Sequence, residues 1–114
     1  MIEEEALVRA ALVALVTSWE GFDVVAEAAT KVEALDELRR VNPDVVLLSL
    51  AGTEDAKLIP EISRACGRTR LLVLFSHCPE ELRLVMRGLA KRLVAKTDNP
   101  KELKKAIQDV HAKG

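Results

Sequence analysis

Two stretches of this sequence, DVVLLSL at 44–50 and LLVLF at 71–75, are apolar almost without interruption. A strand with one solvated face alternates apolar and polar residues. A solid apolar run is what a strand covered on both faces shows, and such strands belong to parallel sheets. Parallel neighbours need a long crossover, usually a helix, which packs onto the sheet face. The residues between the two runs fit that demand. DAKLIPEISRAC reads as a helix with Leu58, Ile59 and Ile62 on its apolar side. Pro60 is tolerable there only in the first turn, where its missing donor matters little, and Gly67 ends the segment.

The same alternation runs through the rest of the chain. EEEALVRAALVALVTSW reads as a helix with a stripe wide enough that most of it should be buried. The acidic run Glu3–Glu5 suits a helix N-terminus electrostatically. FDVVAEA reads as a short strand after Gly21. Thr30 and Glu33 fit a capping box for KVEALDELRRV, which Asn42-Pro43 stops. Pro79 opens a helix carrying Leu82, Val85, Met86 and Leu89, and RLVAK is a further brief strand. TDN with Pro100 caps and opens a last helix, with Leu103, Ala106, Ile107 and Val110 inward. Helices and strands therefore alternate, which predicts an α/β three-layer sandwich around a parallel sheet.

At 114 residues the chain predicts one domain spanning 1–114. Hydrophobic residues at 49% and charged residues at 31% are a globular balance. A formal net charge of -1 gives no field for bulk binding to nucleic acid or an anionic membrane. No apolar run approaches the ~20 residues of a spanning helix. No charged region precedes a leader-like apolar stretch, so a cytoplasmic location is expected. Two cysteines, Cys66 and Cys78, make neither a disulfide framework nor a zinc set, and His77 beside Cys78 lacks the partners for one. No metal site is expected.

The collinear series resembles the receiver domain of bacterial two-component response regulators. It is the CheY-like, flavodoxin-like fold, of the type that precedes LuxR/NarL-like helix-turn-helix output domains. The resemblance rests on three segments: EEEALVRAALVALVTSWEGFDVVAEAAT, EALDELRRVNPDVVLLSL, and TRLLVLFSHCPEELRLVMRGLAKRLVAKTDNPKELKKAI. In that family an acidic pair binds Mg²⁺ and an aspartate at the end of the third strand takes a phosphoryl group. A Thr or Ser and a Lys contact that group. A carboxylate nucleophile and a divalent ion are what the transfer needs physically.

This sequence matches the set in part. By the resemblance, Glu3 and Glu4 stand on the acidic pair, Ser49 on the phosphoacceptor, Phe75 on the Thr/Ser position and Lys96 on the lysine. A one-residue slip would substitute Ser76 for Phe75. Leu93 stands where the family has a switch aromatic, and the chain has no Tyr. A serine hydroxyl forms no acyl phosphate and is a poor Mg²⁺ ligand, so no cofactor is expected. Ser49 also lacks a Gly-x-Ser-x-Gly turn and an evident His base, so no enzyme is expected. Lys96 is read as pairing with Glu3 or Glu4, because an unpaired buried cation is costly. Both glutamates are otherwise read as a solvated helix start, and Phe75 as core or pocket filling.

The expected function is a pseudo-receiver, a phosphorylation-independent module acting through a protein partner, with a homodimer as one form. By resemblance its pairing face includes Leu82, Met86, Leu93, Lys104 and Ile107. Two alternatives stand beside it. One is the regulatory half of a DNA-binding regulator, and the other is a receiver using an atypical carboxylate such as Glu54 or Asp55. The family's first strand is truncated or missing, since only Met1 and Ile2 precede Glu3. The flanking strands could re-pair directly, a neighbour could fill the gap, or residues could lie upstream. Self-association is expected on that ground.

Overall fold

The two solid runs lie side by side. β1 (Val45–Leu50) and β2 (Arg70–Phe75) are parallel, with Val46 opposite Leu71 and Leu50 opposite Phe75. β3 (Arg92–Ala95) follows on the far side of β2, with Phe75 opposite Ala95. The structure, a computed structural model, describes residues 1–50, 58–75, 92–96 and 99–112. The helix expected from Pro79, the loop at 51–57, Ser76, His77 and Cys78 lie outside those residues.

Four described helices flank the sheet: α1 (Ala6–Thr17), α2 (Lys31–Arg40), α3 (Leu58–Cys66) and α4 (Pro100–Ala112). Strand side chains alternate between faces, so each strand feeds two cores. Val46, Leu48, Leu50, Leu71 and Val73 meet Ala34 of α2 and Ile59 and Ile62 of α3 on one face. Leu47, Leu72, Leu74 and Val94 meet Leu103, Ala106 and Val110 of α4 on the other, with Leu12, Leu15 and Trp19 packed against them. This is why residues 46–50 and 71–75 are buried throughout, and why their sequence shows no alternation. No helix among the described residues is long and apolar enough to cross a membrane.

Helix ends follow local chemistry. Thr30 Oγ1 accepts from Glu33 N–H at 3.2 Å, and the Glu33 carboxylate accepts in return from Ala29 N–H at 2.8 Å. Thr30→Ala should therefore cost about 1 kcal/mol in chemical denaturation, the ordinary worth of such a cap. Pro60 is the third residue of α3, within the first turn, and Gly67 takes the left-handed φ of 58° that ends it. Asn99 Oδ1 accepts from Lys101 N–H at 2.9 Å ahead of α4, which starts on Pro100.

Two expectations need correction. α1 is not mostly buried: Val16 is its one buried residue, and Leu7 is 88% exposed. Its stripe is wide, but of it Leu12 and Leu15 pack against the core on that face, with Trp19 just beyond the helix end. FDVVAEA forms no strand. Only Ala28 bridges, to Ile2; of residues 22–27, Ala26 meets Met1 through a single hydrogen bond, which makes no ladder.

The N-terminus keeps the central place. Ile2 bridges Ala28 on one side and Leu48 on the other, both parallel. Its N–H donates to Leu47 C=O at 2.8 Å, and its C=O accepts from Ser49 N–H at 2.8 Å. Glu3 N–H donates to Ala28 C=O at 3.0 Å. Ile2 thus stands in the place of a central strand, and β1 does not pair directly with the 22–28 segment.

Candidate functional site

The bridging of Ile2 fixes what comes next in the chain. Glu3 emerges at the carboxyl edge of the sheet beside Ser49, the penultimate residue of β1. Both are buried, Glu3 to 2% exposure and Ser49 to 6%. Ser49 Oγ donates to Glu3 Oε1 at 2.6 Å. Lys96 follows the last residue of β3, held by its N–H donating to Phe75 C=O at 2.7 Å. Its side chain reaches back across the edge, placing Nζ 3.5 Å from the same Glu3 Oε1. Glu3 Oε2 accepts from Glu5 N–H at 2.9 Å.

Burial alone would raise the Glu3 pKa. The Ser49 hydroxyl, the Glu5 amide and the Lys96 ammonium outweigh it and hold the carboxyl below its ordinary value of 4.5. Glu3 is therefore an anion near neutrality and a weak base. Its hydrogen bond from Ser49 locks the hydroxyl and does not activate it, since a nucleophile needs a base with proton affinity near the working pH.

The remaining predicted site residues are placed differently. Glu4 is exposed, beside a cavity of about 220 Å³ that Ser49 and Thr30 also line. Sequence reasoning has both glutamates solvated: Glu4 is exposed ahead of α1, whereas Glu3 is buried. The strand-like alternation through Ile2 turns Glu3 inward, where one carboxylate oxygen still accepts from the N–H of Glu5, the N-cap of α1. Phe75 is buried at the end of β2. Leu93 sits inside β3 opposite Val73, back from the edge. Sequence reasoning misses Arg9, whose guanidinium donates to Glu3 C=O at 2.8 Å and pairs with Glu27 at 3.6 Å. The available signal is that Arg9 is the one cation within residues 1–17.

A divalent cation of the Mg²⁺ kind wants several hard oxygen ligands, typically including one or two carboxylates. The described residues do not fit one. Both Glu3 oxygens already accept hydrogen bonds, Ser49 brings a neutral oxygen, and an ammonium stands where a second positive charge would have to come. No three His, Cys, Asp or Glu side chains cluster among the described residues.

No protein-family model and no curated protein matches the chain. Solved structures do. A LuxR-family two-component response regulator from Aurantimonas sp. SI85-9A1 is 29% identical, with a TM-score of 0.85 over 97% of this chain and 81% of that one. A CheY-like response regulator receiver domain protein from Methanospirillum hungatei JF-1 is 16% identical, with a TM-score of 0.83 over 98% and 90%. A DNA-binding response regulator of the LuxR family from Staphylococcus aureus is 20% identical, with a TM-score of 0.82 over 96% and 95%. With its parallel sheet and flanking helices, the chain has the CheY-like receiver fold that these structures share.

Proposed function

We propose that the chain is a signalling module of the two-component type that works through protein–protein contact without a phosphoryl switch. The observation that supports this reading is the internally neutralised edge: Ser49 donates to a buried Glu3 that Lys96 already pairs. A phosphoryl acceptor needs a free carboxylate and a cation to offset the incoming charge, and here the buried Glu3 carboxylate and the Lys96 ammonium are already engaged with each other. With no covalent event to bind one conformation better than another, no ligand-driven population shift follows from that site. On this reading the chain is not an enzyme, holds no Mg²⁺ and works in the cytoplasm. Its partner is a protein, a second copy included, which meets a face to which β3 and Lys104 and Ile107 of α4 contribute.

The test is exposure to acetyl phosphate, and separately to beryllofluoride, each with Mg²⁺. Intact mass should stay unchanged, and the amide spectrum should not move. A phosphoryl adduct on any residue, Glu54 or Asp55 included, would overturn the reading.

The LuxR-family likeness favours a second reading, in which the domain regulates a DNA-binding output domain. Coding sequence for a helix-turn-helix downstream of Gly114 would decide for it.

A further inference from the structure

Beyond Ile2, the segment 22–28 is the outermost described part of the sheet layer. Both backbone groups of Ala28 face inward: its N–H donates to Met1 C=O at 2.9 Å, and its C=O accepts from Glu3 N–H at 3.0 Å. Backbone groups alternate in direction along an extended chain, so those of Glu27, and of Val25 and Asp23 before it, face away from the sheet. Side chains keep the same period. Glu27 reaches Arg9 of α1 on one face, whereas Ala28 packs with Ala34 of α2 on the other. Asp23, Val25 and Glu27 are exposed, and Phe22, Val24 and Ala26 between them are half-buried. Among the described residues nothing bonds the outward N–H and C=O groups of Asp23, Val25 and Glu27.

The three outward residues carry a charge pattern. Val25 is 57% exposed and stands between two acids. Glu27 Oε1 is 3.6 Å from Arg9, and Asp23 has no cation beside it among the described residues. Acids on an open edge guard it against a second copy. Antiparallel pairing of two copies about Val25 would set Asp23 against Glu27 twice. Parallel pairing in register would set each acid against its own copy. Like charges directly opposite are destabilising in both cases. The guard does not act on a basic strand, and the middle position is apolar, which leaves a place for one to pack.

We propose that this edge takes an extended segment of a partner protein, of the pattern cation-x-apolar-x-cation, as an added outer strand. Each part of the pattern has a cause. The segment is extended because the outward backbone groups of residues 23, 25 and 27 can be satisfied together only by a strand. Its apolar residue stands opposite Val25. Its cations, two positions away on either side, stand opposite Asp23 and Glu27 on the same face. The pattern reads alike in both directions, so it serves a parallel and an antiparallel strand. This surface lies across the sheet from the β3 and α4 face, and the inference stands whether or not the edge at Ser49 takes a phosphoryl group.

The probe is the peptide Thr-Lys-Thr-Val-Thr-Lys-Thr, with a fluorophore at its amino end and an amidated carboxyl end, titrated into the full chain. At low salt the anisotropy should saturate with a Kd below about 1 mM, and high salt should weaken binding several-fold. Amide exchange at Val25 and Glu27 should slow by about tenfold in the saturated complex. N-methylation of the three central peptide residues should abolish binding, because it removes the ladder donors whichever way the strand runs. Glutamate in place of both lysines should abolish it as well. The exposed Asp23→Lys variant should bind several-fold more weakly with an unchanged circular dichroism spectrum. No saturable binding, equal binding of the N-methylated or the glutamate peptide, or unchanged exchange at Val25 and Glu27 would overturn the proposal. Sedimentation showing a dimer that Val25→Pro dissociates would also overturn it, by assigning the edge to a second copy.

Discussion

Ser49→Asp should destabilise the fold by about 2–4 kcal/mol at pH 7, and that loss should shrink as the solution is acidified. The wild-type hydroxyl donates to Glu3 Oε1 at 2.6 Å. An aspartate there puts a second carboxylate against a buried first one, and two such groups cannot both ionise freely. Keeping one proton on the pair at pH 7 costs at most about 4 kcal/mol, taking ~1.4 kcal/mol per pH unit above an aspartate pKa of ~3.9. The Lys96 ammonium offsets part of this by attracting whichever carboxylate stays charged. The sign follows from the raised folded pKa: the penalty is full above it and vanishes as pH falls towards the unfolded value. Millimolar Mg²⁺ should raise the Tm of Ser49→Asp, because two carboxylates now face a divalent ion, and should leave the wild type unmoved. Thermal denaturation across pH, with and without Mg²⁺, checks both statements. A variant as stable as wild type at pH 7 would show that the edge is more open to water than the burial of Glu3 implies.

That sensitivity was only partly legible in the sequence. The parallel sheet is written in the apolar runs 45–50 and 71–75, since burial on both faces leaves a mark that no polar residue interrupts except Ser49. What the letters do not carry is a state set by a neighbour. FDVVAEA has the composition of a strand, yet only Ala28 bridges, because strand pairing is a property of two segments. The same holds for Glu3 and Glu4. They are identical and adjacent, and only the pairing of Ile2 with Leu47 and Ser49 decides which one turns inward. Arg9 escapes for a different reason: it stands out as the one cationic side chain in residues 1–17, but its partner is a main-chain oxygen, which that signal does not name. The α1 stripe misleads because apolar content measures what a helix could bury, whereas its contacts are set by how much of the sheet it crosses.

Lys96→Met tests the other half of the neutralised edge. The ammonium is 3.5 Å from Glu3 Oε1 and its side chain is 22% exposed, against 2% for that of Glu3. Removing it leaves a carboxylate that cannot turn out to water, because its backbone is pinned between Ala28 and β1. Stripping one partner from a buried pair typically costs 3–5 kcal/mol; here the Ser49 and Glu5 hydrogen bonds remain, so about 2–3 kcal/mol is expected at pH 7. The pH dependence gives the diagnosis. In the wild type the Glu3 pKa is lowered, so its contribution is present above 4.5 and is lost as pH falls through the folded value. In the variant burial acts with less opposition, so Glu3 takes its proton at a higher pH than in the wild type. The two stability curves should therefore converge on acidification and meet once Glu3 is protonated in both. Urea denaturation of both proteins from neutral pH into the acid range measures this directly. A deficit that stays constant with pH would assign the loss to packing of the lysine stem. The edge would then owe nothing to charge neutralisation, and the proposed function would lose the observation that supports it.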